Sequence, residues 1–327
     1  MMPFETPRNA SPVRPVWQTA LVRPETMTFI LLIAALIGGS LLSPFFLDLS
    51  YILKSFVLSS EFAIVALFLT MVIIAGEIDL SAAANMALSA CLFGWVQDAG
   101  LSLPLSIAVG LGAGVAMGAL NAVLILGLQL PSIIVTIGTL TLYRGLAQVI
   151  AGDKSIRIDP DFVGLDDIFV AGLPAPVAIF VVVSVILALV LGSTLFGRQI
   201  YLIGTNETAA RHVGVRATRI KAILFLLVGG ASAVAGLMTA SRLGSVRYDL
   251  GLGGELQMIL MAMMGGTYIF GGRGTILGTF LAAWLLVLVM TGMIVANWLP
   301  AWQLCALGIL LVVSIIATNL IYSRAQR

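Results

Sequence analysis

The 327 residues contain one histidine, His212, two cysteines and three lysines, and only 10% of the chain is charged. Each scarcity removes a class of function. A lone histidine cannot build a multi-histidine metal centre. Cys91 and Cys305 both fall in apolar segments, where cysteine behaves as a small packing residue, so neither a disulfide nor a metal site is expected. No Gly-Lys-[Ser/Thr] occurs anywhere, which argues against a phosphate-binding loop and gives the chain no nucleotide site of its own. The net charge of +2 and pI near 8.7 do not point to nucleic acid, because the excess sits in connections between apolar runs. No catalytic constellation is visible.

What is abundant is hydrocarbon. The chain is 60% hydrophobic with a mean hydropathy of +1.10, against about 45–50% apolar and about 25% charged in soluble domains. That excess needs lipid as its solvent. A spanning helix takes about 20 mostly apolar residues, and the apolar stretches predict about ten: 27–46, 54–75, 82–97, 102–127, 131–151, 174–195, 219–241, 255–270, 275–296 and 300–322. The expected fold class is all-α, a polytopic helical membrane protein. Pro104, Pro131, Pro174 and Pro300 each sit at a predicted start, where proline is tolerated. The segments 82–97 and 255–270 are short for a bilayer and are expected to be tilted, broken or buried against other helices. Residues 1–26 read as a tail, 27–322 as the membrane domain and 323–327 as a second tail; the run from Met27 to Leu42 reads as an anchor rather than a cleaved signal.

Lysine and arginine set the orientation. Ten spans put both termini on one side, with Arg8, Arg14, Arg23, Arg198, Arg211, Arg216, Arg219, Lys221, Arg273, Arg324 and Arg327. The other side receives Lys54, Arg144, Lys154, Arg157, Arg242 and Arg247. The first side is therefore expected to be cytoplasmic, and the acidic loop 152–173 external. The loop 198–221 stands out, with five cations against the single acid Glu207. Its centre, Glu207 to Val213, predicts about two turns of helix between Gly204 and Gly214, with a small face at Ala209 and Ala210. Arg211 and Arg216 are placed to meet acidic groups on a partner. A solvated connector that only obeys the positive-inside rule fits the same composition.

Four further stretches carry polar or glycine signals. Gly76-Glu77-Ile78-Asp79-Leu80-Ser81 places two acids beside a span, a candidate gate or hinge with Asp79 or Ser81 capping the next helix. Thr136, Thr139 and Tyr143 form one polar stripe, fit for lining a path or for bonding between helices, with Arg144 expected to snorkel to the outer interface. The stretch 264–279 holds Gly265, Gly266, Gly271, Gly272, Gly274 and Gly278, which permit a break between spans. Gly110, Gly114 and Gly118 make a close-packing face, and Asn121 on the same helix can bond across it.

Taken together, these motifs resemble the permease subunits of bacterial sugar ABC importers of the ribose, rhamnose and autoinducer-2 type. The resemblance runs from about 27 to 322 and rests on 76–81, 130–139, 196–211 and 271–278. Where that family usually reads Gly-Gly-Ile-Asp-Leu-Ser, this chain has Glu77 in place of the second glycine. The segment 241–251 looks closest to the rhamnose and autoinducer-2 permeases. The resemblance implies a non-enzymatic chain in the bacterial inner membrane that forms the path for a monosaccharide-like solute. It implies three partners besides membrane lipid: a cytoplasmic ATP-binding subunit that holds ATP and Mg²⁺, a periplasmic sugar-binding protein, and a second permease chain, identical or paralogous. The stretch 196–218 would be the coupling loop, with Glu207, Ala209, Ala210, Arg211 and Gly214 meeting the ATPase. Gly76, Asp79, Ser81, Gly271, Gly272 and Gly274 would serve as gate or hinge. The rival is a stand-alone secondary transporter, which needs ionisable groups near mid-membrane. Glu61 is the one acid expected well inside a span, within two turns of Lys54.

Overall fold

A computed structural model describes residues 24–44 and 46–325. The tail 1–23 and residues 326–327, with Arg8, Arg14, Arg23 and Arg327 of the charge count, lie outside the described residues, as does the side chain of Arg324. Twelve α-helices are described: α1 Pro24–Leu42, α2 Leu49–Ile74, α3 Ala82–Asp98, α4 Leu103–Ala122, α5 Ser132–Ala151, α6 Ala175–Ser193, α7 Leu195–Thr205, α8 Glu207–His212, α9 Ala217–Leu243, α10 Gly254–Met264, α11 Ile276–Val295 and α12 Pro300–Ala325. Ten of them coincide with the ten predicted spans; α7 and α8 occupy the basic loop. Helix α1 starts at Pro24, three residues earlier than expected, with Glu25 in its first turn, where an acid complements the helix dipole. Helix α10 stops at Met264 rather than near 270, because Gly266 adopts φ +84° and turns the chain.

By length and composition, eight helices among the described residues suffice to cross a membrane, counting α4 with its short π-helical extension to Gly127. The two shorter ones, α3 and α10, are where the chain does something less regular. Helix α3 has 17 residues, a rise of about 25 Å, and is buried almost all round. That fits its Ala-rich sequence, since small side chains let α4, α5 and α9 close in on every side. It is preceded by the extended turn 76–81, and together they cross the body. Glu77 at one end pairs with Lys221 at the start of α9, while Gly94 near the other end packs on Val246 and Ile156. Helix α10 begins at the level of Phe62, at the middle of α2, against which both Gly251 and Gly254 pack. The chain reaches that depth as a series of turns, Leu250 N to Arg247 O, Leu252 N to Asp249 O and Gly254 N to Gly251 O. Irregular backbone at such depth survives only when protein satisfies it.

Two faces result. One carries α7, α8, the start of α9 and the glycine turn 265–274. The other carries two short antiparallel ladders, β1 Ile156–Arg157 with β4 Ser245–Val246 and β2 Phe169–Val170 with β3 Leu173–Pro174. The buried shafts are α2 and α9, whereas α1 and α12 are peripheral and largely uncovered. The α4–α9 contact is backbone to backbone: Gly114 lies against Ala233 and the Gly229 carbonyl, Gly118 against the Phe225 carbonyl. This is the small-residue face read from the sequence. Cys91 is buried and Cys305 exposed.

Candidate functional site

Helix α8 is built by its ends. Asn206 caps it, accepting the Ala209 N–H at 3.0 Å, and Gly214 at φ +88° reverses the chain so that Val215 N bonds back to Ala210 O at 3.0 Å. Glu207 in the first turn and Arg211 and His212 in the last complement the dipole. Of the predicted docking residues, Ala209, Arg211 and Gly214 face solvent. Ala210 does not: it is buried in the core with Val215, Ala217 and Ile220, because the short helix needs one small residue on the side that rests on the body. Val213, 74% exposed, supplies the apolar tip that the sequence reading passed over.

Glu207 is committed within the subunit. Its Oε1 accepts from Arg211 at 2.6 Å and its Oε2 from Lys221 Nζ at 2.6 Å. Burial works to raise its pKa, but the hydrogen bonds and charges of Lys221 and Arg211 outweigh it and hold the carboxyl below its ordinary value. Lys221 also reaches Glu77 Oε1 at 2.6 Å, with the lysine side chain 7% exposed. One buried ammonium thus joins α8 to the turn 76–81.

A second junction lies beside it. Gly76 (φ +84°), Gly271 (φ +88°), Gly272 (φ +76°) and Gly274 (φ +150°) all hold backbone that disfavours L side chains. A Cβ on Gly204, at the end of α7, would overlap the Ile74 carbonyl oxygen, while one on Gly271 would press on Gly76 and the Gly204 carbonyl. Gly272 N donates to Ile74 O at 2.8 Å and Tyr201 Oη to Gly274 O at 2.7 Å. Three motifs that are far apart in sequence, 76–81, 196–211 and 265–278, therefore meet as one backbone clamp.

The turn 76–81 also faces the α5 stripe. Asp79 is buried, and its Oδ1 accepts both the amide of Ser81 at 2.8 Å and the Ser81 hydroxyl at 2.7 Å. Neither side chain caps α3 as expected: Ser81 is the N-cap residue but makes no capping bond, because its oxygen accepts from Asn121 Nδ2 at 2.8 Å. The Tyr143 hydroxyl lies 2.9 Å from Met117 O and 3.1 Å from Asn121 Oδ1 and shares its one proton between these two acceptors. Thr136 Oγ1 reaches Ile78 O at 3.3 Å, and Thr139 bonds to Thr136 O at 3.4 Å. The stripe is buried; Tyr143 bonds across to α4, whereas Thr139 bonds within α5 and Thr136 has its shorter bond there too, to Ser132 O at 2.8 Å.

Two ionic partners were not visible in the sequence. Glu61 Oε1 accepts from Arg242 Nε at 2.9 Å, with 2% of its side chain exposed, so its counter-ion is 181 residues away rather than Lys54. Arg144 does not snorkel outward; its Nη1 donates to Tyr248 O and Leu250 O, both at 2.7 Å, and supports the irregular backbone before α10. Long-range pairing of this kind leaves no spacing signal. Glu77 did leave one, as an acid where the resembled family has glycine.

The family model described as "Branched-chain amino acid transport system / permease component" matches residues 51–315. The autoinducer 2 import system permease protein LsrD of Klebsiella pneumoniae is 36% identical over 315 residues, 93% of this chain and 92% of that protein. Its counterpart LsrD of Escherichia coli is 33% identical, over 96% of this chain and 95% of that one. The autoinducer 2 import system permease protein LsrC of an Enterobacter species is 33% identical, over 86% and 82%. No solved structure matches the chain. With its membrane-length helices and end-to-end similarity to these proteins, the chain belongs to this permease family of ABC import systems and is a multi-pass protein of the bacterial inner membrane.

Proposed function

We propose that this chain is the membrane-spanning subunit of an importer for a monosaccharide-like, polyhydroxylated solute of the ribose, rhamnose or autoinducer-2 kind. A separate cytoplasmic ATPase holds ATP and Mg²⁺, a periplasmic binding protein selects the solute, and a second permease chain completes the path. The chain itself performs no catalysis. The positive-inside rule assigns the α7–α8 face to the cytoplasm and the β1–β4 face to the periplasm. The relatives' printed names favour an autoinducer-2-like solute over an amino acid.

One observation carries the reading: Lys221 binds Glu207 on α8 and Glu77 at the turn 76–81 with the same ammonium. Helix α8 is then the coupling element, presenting Thr208, Ala209, Arg211, Val213 and Gly214 to the ATPase. A push on it reaches Gly76, Asp79 and Ser81 through Lys221, and Gly271, Gly272 and Gly274 through the clamp at Gly204. Thr136, Thr139 and Tyr143 line the path when the Asp79–Ser81–Asn121–Tyr143 bonds open. For the rival secondary transporter, the buried acids among the described residues are Glu61, which Arg242 already neutralises, and Asp79, whose Oδ1 is held by the amide and hydroxyl of Ser81.

Val213→Asp and Arg211→Glu test the docking surface. Both residues are exposed, so the chain stays folded, while recovery of the ATPase with the affinity-purified permease falls at least tenfold and uptake with it. Unchanged co-purification and uptake in both variants would remove α8 as the coupling element.

A further inference from the structure

Outside this machinery, half-way through the body, two charged side chains converge with part of their hydrogen-bonding capacity unused. Arg144 on α5 spends Nη1 on the Tyr248 and Leu250 carbonyls, while its Nε is buried without a partner. Glu255 stands in the first turn of α10, and its Oε2 is likewise buried without a partner. Glu255 and Asp249 both lie close enough to act electrostatically on Arg144. The depth is fixed by packing: Gly254 rests on Phe62 at the middle of α2, and Gly251 on Phe62 and Met86. Helix α10 therefore begins inside the membrane, with irregular backbone before it, the arrangement that lets polar groups meet a solute at mid-depth. An ionisable residue at that depth is costly unless function retains it, and here a donor and an acceptor are retained together. Both residues are half-buried as a whole, while Nε and Oε2 themselves are covered, so a solute meets them only in a conformation that opens the start of α10.

We propose that Arg144 and Glu255 form a solute-contact site for an uncharged polyhydroxylated molecule. Arg144 Nε donates to one hydroxyl oxygen, and Glu255 Oε2 accepts the proton of another. A neutral polyol supplies both complements at once, which an aliphatic side chain cannot. The site rests on the import reading above and narrows it: contact along the path is made by a guanidinium–carboxylate pair carried by α5 and the broken α10.

The test uses the complete importer in proteoliposomes with labelled autoinducer-2 as the probe. Glu255→Gln keeps size and removes charge. It is expected to cut uptake at least tenfold while assembly with the ATPase and basal ATP hydrolysis stay unchanged. In the wild-type complex a hydrophobic carbodiimide, read by mass spectrometry, is expected to modify Glu255, and saturating autoinducer-2 to slow that modification at least fivefold. Wild-type uptake by Glu255→Gln would overturn the site. So would modification indifferent to solute, the result expected if only a water or the second permease chain satisfies Oε2. If Glu255→Gln fails to assemble, protection of the wild-type carboxylate decides alone. If the wild-type complex imports neither autoinducer-2 nor a pentose, the import reading itself fails and the site falls with it.

Discussion

A single lysine carries more of the structure than its place in a basic loop announces. Lys221 is nearly buried and holds two carboxylates at 2.6 Å, and removing one partner of such a group leaves charge uncompensated. Lys221→Met is expected to destabilise the subunit by about 3 kcal/mol, the low end for a broken buried pair because Glu77 keeps some exposure. Adding Glu77→Gln should recover most of that loss, as read by thermal unfolding in detergent. Equal loss in single and double variants would show that the pair carries no strain of this kind. The sign of the pH effect follows from Glu207, whose carboxyl is held below its ordinary value. A depressed carboxylate contributes stability above its unfolded pKa of about 4.3 and loses it as pH falls through the folded value. The contribution of Glu207 to subunit stability should therefore be flat from pH 8 to about pH 5 and weaken only below that range. Glu207→Gln should remove the acid-side loss.

At the scale of elements, the sequence was most legible where a pattern is local. Ten apolar helices, eight of them of membrane length among the described residues, the short helix after Asn206, the reversal at Gly214 and the Gly110/Gly114/Gly118 face all follow from hydropathy, caps and spacing, which neighbouring residues write together. The ion pairs Glu61–Arg242 and Glu77–Lys221 were not legible, since 181 and 144 residues separate the partners and nothing local encodes them. The hydroxyl stripe of α5 was found, but not its use: period alone gives a face, not what the face meets. Ala210 shows the same limit, small enough for docking outward or for packing inward, and settled by Val215 folding back. Glycine clusters predicted breaks, yet only the fold shows that Gly76, Gly204 and Gly271 break against one another. Gly204→Ala is expected to cost about 3 kcal/mol or more, beyond ordinary overpacking, because the obstacle is the Ile74 carbonyl and not a movable side chain. Gly138→Ala, where a Cβ meets open space, should leave stability within about 0.5 kcal/mol. Equal effects at both positions would contradict the clamp.

On the proposed import reading, the whole molecule is organised around motion between its faces. On the face proposed as cytoplasmic lie α8, the Lys221 node and the glycine clamp. From there the turn 76–81 leads into α3, buried almost all round, and the clamp leads into α10 and α11. Short or interrupted elements thus sit along the proposed route of movement, while the long regular helices α1 and α12 stay peripheral. The most direct measurement is solute accumulation in proteoliposomes that contain this chain, its ATPase and a loaded binding protein. The account predicts uptake that requires ATP on the α8 side, survives ionophores, and is lost in Val213→Asp while the complex's membrane subunits remain folded. Uptake that proceeds without ATP and collapses with the ion gradient would contradict it.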